Sequence, residues 1–214
     1  GMWGKTGINC FVLITGYFMC KSQITCRKYV KLFAEVVFYD ILYNTIFWAT
    51  GYAPFTLVSF VKNILPFTSI AQNFTGCYLV FFLFIPFLNK LIQNLTQKQH
   101  LYLILLCSFT YIFMGTIPFF NVSMNYVSWY IVIFFIASYI RLYPAKIFNN
   151  TKVWGILSVI SVSLLVLSVF SCVWLGTKLN RFMPYTFAQD SNTFLAVSTA
   201  VTTFLFFLNI KIPY

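Results

Sequence analysis

Of the 214 residues 60% are hydrophobic, 21% aromatic and only 8% charged, with a mean hydropathy of +0.84. A soluble domain carries about 25% charged residues, so this chain cannot coat a water-soluble surface and is expected to sit in lipid. The net charge of +11 is spread over short turns between apolar runs, which argues against a nucleic-acid groove and for topology signals.

Seven apolar segments follow in chain order, roughly residues 7–20, 29–50, 74–88, 101–120, 127–140, 153–175 and 193–210. Runs near twenty residues separated by polar turns predict an all-α polytopic bundle of transmembrane helices, because only helices and closed barrels satisfy their backbone in lipid. No internal repeat or linker divides the chain, so residues 1–214 read as a single integral-membrane domain of about seven spans. The chain opens on Gly1-Met2-Trp3 and stops at Tyr214 just after an apolar run; a fragment of a longer membrane protein is the expectation.

The first segment ends at a dense basic edge, with Lys21, Arg27, Lys28 and Lys31. Placing that edge in the cytoplasm and alternating puts ten of the fourteen Lys and Arg residues inside. They are these four with Lys90, Lys98, Arg141, Lys146, Lys152 and Lys211, against Lys5, Lys62, Lys178 and Arg181 outside. That bias obeys the positive-inside rule. The longer loops, 51–73 and 176–192, then lie outside, and Pro144 breaks the helix in the inner turn 141–152.

Few residues can carry chemistry. The six cysteines lie mostly within apolar runs without CxxC spacing; they are expected to be buried or lipid-facing, with neither a disulfide framework nor a metal site. Of three acids, Asp190 falls in an outer loop and is expected in solvent. Glu35 follows Lys31 by four residues and shares its helix face. Asp40 lies deeper, among Phe38, Tyr39, Ile41 and Leu42. An intramembrane carboxylate costs about 2.5–3.5 kcal/mol on insertion scales and is by default a functional candidate; an interhelical hydrogen bond is the plainer alternative. His100, the single histidine, opens a helix in a polar inner turn, where an interfacial side chain is expected. One His and three acids at these positions assemble neither a catalytic triad nor a metal site.

The basic edge admits two readings. It is a topology anchor, or Arg27, Lys28, Lys31 and Arg141 converge on a patch that holds phosphates, Arg by bidentate contact and Lys as a point charge.

The run FVLITGYFM (residues 11–19), followed by Arg27-Lys28-Tyr29-Val30-Lys31, resembles the second helix of the bacterial membrane acyltransferase-3 family, with its F-x-x-S-G-Y/F signature and R-x-x-R element. Thr15 stands where that family has Ser, and Lys28 and Lys31 where it has Arg. Tyr78 with PFLNKLI (residues 86–92) resembles its aromatic Y…SPFLN helix. Trp129-Tyr130 and SYIRLY (residues 138–143) resemble its W-F…G-x-Y-I-R-x-Y helix. Asn192 with FFLNIK (residues 206–211) resembles its N-S-P…LFFKNLK segment, whereas Asn73 stands where the family has Trp. The resemblance implies a multi-pass enzyme of the bacterial plasma membrane. Such an enzyme moves an acyl group, usually acetyl, from cytoplasmic acyl-CoA to a hydroxyl of a cell-surface glycan. It implies Arg27, Lys28, Lys31 and Arg141 as the CoA-phosphate site, with Asp40 and Glu35 in support. The family's catalytic base is a His in an R-x10-H helix, which would lie upstream of Gly1; His100 is not its equivalent. A transporter or flippase for lipid-linked sugars, or a glycan polymerase, is the alternative class, and a transporter would need broken helices with paired intramembrane charges.

Overall fold

Apolar runs become helices where polar residues let them start and stop. The computed structural model describes residues 5–52, 54–64, 74–117, 119–120, 122, 124–180, 187–188 and 190–210, and every regular element among these is helical. In chain order they are α1 (Thr6–Met19), α2 (Cys26–Ala49), α3 (Leu57–Ile64), α4 (Phe74–Asn94), α5 (Gln97–Thr116), α6 (Tyr126–Leu142), α7 (Thr151–Leu179) and α8 (Phe194–Asn209). A 3-10 turn, Lys146–Asn149, follows Pro144 and joins α6 to α7.

All seven apolar segments lie on helices, but their limits shift for identifiable reasons. α5 starts four residues earlier than its apolar run, because Thr96 and Gln99 form a reciprocal capping box. α4 runs six residues past Leu88 with Pro86 inside it; its buried residues Tyr78, Phe82, Ile85, Asn89 and Ile92 keep one helical face against the bundle through the break. The outer loop 51–73 contains α3, which packs its ring of Phe60 on Trp48 of α2. Within α5, Ser108–Phe113 form a π turn, an irregularity frequent at functional sites. Arg181, Lys211 and Asn73 fall outside the described residues, as do 65–73 of the first long loop and 181–186 and 189 of the second.

α1 and α6 form the centre. Gly16 lets them close: a Cβ there would stand 2.8 Å from Ala137 Cβ and 3.2 Å from Phe134 Cα. α1 also packs on α8, α4 and α5 pack on α6, and α7 packs on α8. α2 stands at the edge, touching α3 and, through Tyr29 and Phe82, α4; none of its residues is buried. Trp129, Tyr130, Phe81, Phe134, Leu13 and Ile133 fill the centre with essentially no exposure.

Contacts between helix ends establish the alternation. One end joins Tyr17 to Arg141, Asn89 to Met19, Gln97 to Tyr139 and Asn209 to Phe148. The opposite end joins Lys5 to Asp190, Asn9 to Trp129 and Asn192 to Tyr111. Successive long helices therefore run up and down, and the first end gathers Lys21, Arg27, Lys28, Lys31, Lys90, Lys98, Arg141, Lys146 and Lys152, leaving Lys5, Lys62 and Lys178 at the other. Among the described residues four helices, α2, α4, α5 and α7, are long and apolar enough to cross a membrane; α1, α6 and α8 are apolar but shorter, at 14, 17 and 16 residues.

Candidate functional site

The basic end is built on the turn between α1 and α2. Asn89 of α4 ties that turn down by donating from Nδ2 to the carbonyls of Met19 (2.9 Å) and Ser22 (3.2 Å). Arg141, in the last turn of α6, lies over the ring of Tyr17 at 4.8 Å and donates from Nη1 to its hydroxyl at 3.0 Å. The charges of Arg141 and Lys21 both act on the Cys20 thiol, so these two cations flank the same turn. Lys28 folds back on that turn, donating to the Gln23 carbonyl at 2.9 Å and to Ser22 Oγ at 3.4 Å. Lys31 meets Glu35 at 3.8 Å in an exposed i,i+4 pair, which is the partner the spacing predicts.

Of the four cations read as a phosphate patch, Arg141 is fixed to α1, and Arg27, Lys28 and Lys31 stand exposed on the first turns of α2. All four share one end of the bundle; among the described residues no side-chain contact brings Arg141 to the other three. The start of α2 is electrostatically unusual. Thr25 at its N-cap makes no side-chain hydrogen bond, its first turn holds no acid, and Arg27 and Lys28 sit where the helix dipole is already positive. Such a terminus favours an anion over a further cation.

Asp40 is half-buried on the face of α2 that also carries Tyr29, Phe33 and Asn44. Its carbonyl accepts from Asn44 Nδ2 at 2.7 Å, while its carboxylate has no partner among the described residues. Asp190 is exposed, as expected of an outer-loop acid, and also meets Lys5 Nζ at 2.9 Å, which in turn lies over the ring of Tyr126. Burial opposes the charge on Lys5, but the Tyr126 side chain and the Asp190 carboxylate outweigh it and hold the amine above the ordinary lysine range.

His100 also departs from expectation. Far from being interfacial, it is fully buried under Phe135, Tyr139 and Tyr143, with Nε2 at 3.1 Å from the Phe135 carbonyl. Since a carbonyl only accepts, Nε2 carries the hydrogen and Nδ1 is left as a buried acceptor without a partner among the described residues. The histidine therefore ties α5 to α6.

The opposite end holds polar residues of which sequence patterns had singled out only Trp129 and Asn192. Asn9, fully buried, donates from Nδ2 to the Ser191 carbonyl at 2.7 Å and accepts from Trp129 Nε1 at 2.9 Å. Asn192 donates to the Tyr111 carbonyl, inside the π turn, at 3.0 Å; Gly115 makes room, since a Cβ there would strike the Asn192 amide. Thr116 accepts the Phe194 amide at 2.8 Å. The one available signal was an amide residue, Asn9, inside an otherwise apolar run. Many residues that carried the motif resemblance prove to be such interhelix ties: Thr15 with Tyr78 (3.1 Å), Asn89, Trp129, Arg141, Asn192 and Asn209.

Among the described residues no cluster of His, Cys, Asp and Glu could hold a metal ion; Cys20, Cys77 and Cys172 are buried, Cys10 and Cys107 partly so, and Cys26 is exposed at the start of α2. No family model, no curated protein and no solved structure matches the chain.

Proposed function

We propose that the chain is the membrane part of an O-acyltransferase of the bacterial plasma membrane, crossing it seven times, with its basic end in the cytoplasm. Acyl-CoA, with acetyl as the acyl group, binds at the basic end, and the acceptor is a hydroxyl of a cell-surface glycan reached from the other face. The observation that carries this reading is the start of α2, a helix terminus without a cap or an acid that presents Arg27, Lys28 and Lys31. CoA phosphates answer both the dipole and the side-chain charges, and Arg141 adds a fixed guanidinium at the same end. In the reaction the acceptor oxygen attacks the thioester carbonyl, the C–O bond forms, the C–S bond breaks, and the hydroxyl proton passes through a base to the departing CoA thiolate. His100 is too enclosed to be that base; Asp40, with Glu35 one to two turns nearer the basic end, are the acids placed to assist along α2. The two ion pairs seen among the described residues, Lys5–Asp190 and Lys31–Glu35, lie near bundle ends, which disfavours a carrier that needs paired charges at midplane.

Since the expected base lies upstream of Gly1 and the chain alone is expected to be inactive, the double substitution Lys28→Ala with Lys31→Ala in the longer protein tests the reading. Hydrogen bonds to charged groups contribute about 1.5–3 kcal/mol each, so glycan acetylation should fall at least about tenfold while immunoblots show unchanged protein in the membrane. Undiminished acetylation would reject the phosphate site.

A further inference from the structure

Asp40 stands deep in α2, within about 4 Å of the middle of a helix that runs from Cys26 to Ala49. In a bilayer that depth lies well below the head groups on either face. Tyr29, on the same face, leans on Phe82 of α4, but it does so about 17 Å nearer the basic end. The Asp40 carboxylate itself meets no partner among the described residues.

Asn44, one turn further along, defines what such a partner must bring. Its Nδ2 donates to the Asp40 carbonyl at 2.7 Å, which fixes the amide and leaves Oδ1 without a partner among the described residues. Asp40 and Asn44 thus present only acceptors, one of them an acid, on a shared half-buried face. The complement is a group that only donates and is positively charged, a lysine ammonium or an arginine guanidinium. Ionisable side chains at this depth pair with one another, since neither water nor head groups are at hand. The chain itself does not supply the cation. Its described lysines and arginines stand at the two ends of the bundle, and Lys31, the nearest along α2 on the outer side of Lys28, is engaged by Glu35. A second copy of the chain, inserted in the same direction, brings no cation to that level either.

We propose that α2 docks a transmembrane helix of a partner membrane protein, one that carries a lysine or arginine at the depth of Asp40. The proposal goes beyond the acyl-transfer reading and does not rest on it, because binding is read without acyl-CoA. The full chain, carrying a donor dye on Cys26, the exposed cysteine, is placed in phosphatidylcholine nanodiscs. It is titrated with an acceptor-labelled Leu/Ala peptide that spans the bilayer and holds one lysine at the depth of Asp40, and energy transfer reads the binding. That peptide should bind about tenfold tighter than the same peptide with norleucine in place of the lysine. Asp40→Asn should erase the preference in protein that stays monodisperse. Asp40→Lys should transfer it to a peptide with glutamate at that depth, so a loss of binding in one variant cannot be mistaken for a loss of fold. Equal binding of the lysine and norleucine peptides would overturn the proposal, as would a lysine preference that survives Asp40→Asn. So would efficient disulfide formation between two copies carrying Val37→Cys, on the face of Asp40, since a second copy would then cover α2.

Discussion

Helices α2 and α6 differ in what their polar residues do. On α6, Trp129, Ser138 and Arg141 are each spent on a neighbour: Trp129 on Asn9, Ser138 on the Phe135 carbonyl and Arg141 on Tyr17. On α2, Arg27, Asp40 and Lys31 point into exposed or half-exposed surroundings, and no residue of the helix is buried. The contrast separates side chains tied into the bundle from side chains near its surface: Lys31 meets only Glu35 of its own helix, and Arg27 and the Asp40 carboxylate have no partner among the described residues.

Breaking the committed side should cost most. Trp129→Ala removes a fully buried ring and leaves Asn9 Oδ1 without its donor; a loss of about 3–5 kcal/mol is expected, read as a large drop in Tm in detergent. Gly16→Leu forces α1 away from Ala137 and Phe134 and should cost about 1–3 kcal/mol by overpacking, with α1–α6 crosslinking by introduced cysteines reduced. Lys31→Ala removes only an exposed pair at 3.8 Å, so Tm should move by under about 0.5 kcal/mol equivalent even where acetylation falls; a Tm loss as large as that of Gly16→Leu would erase the distinction between the two helices. The smallest effect concerns Lys5. Its folded-state pKa is raised, so its contribution is complete below the ordinary lysine range and fades as pH rises through the raised value. Stability should therefore decline above about pH 10.4, and Lys5→Met should flatten that decline in a pH series of melting curves.

Helix positions were legible because lipid imposes long apolar runs, and the alternation of cations gave the order of the ends. The Lys31–Glu35 pair followed from spacing alone. What could not be read was which polar residues are interior. His100 looked interfacial because its sequence neighbours Lys98 and Gln99 are polar, yet its cage of Phe135, Tyr139 and Tyr143 comes from another helix. The tie of Asn192 to a π turn some eighty residues earlier has no local trace, and the room for it depends on one missing Cβ at Gly115. The Thr96–Gln99 capping box, by contrast, was a readable T-x-x-Q start signal.

The brevity of the central helices bears on how far a group must travel. At 1.5 Å per residue the 14 residues of α1 extend about 21 Å, against a hydrocarbon core of about 30 Å. In the proposed bilayer the bundle is therefore waisted at its centre. Carbonyls near the helix ends and in the π turn are occupied by amide side chains, that of Met19 by Asn89, of Ser191 by Asn9 and of Tyr111 by Asn192, which makes them tolerable at hydrocarbon depth. On the acyl-transfer reading, two reactants approaching from opposite faces would be separated by roughly 9 Å less hydrocarbon beside α1 than across a full bilayer.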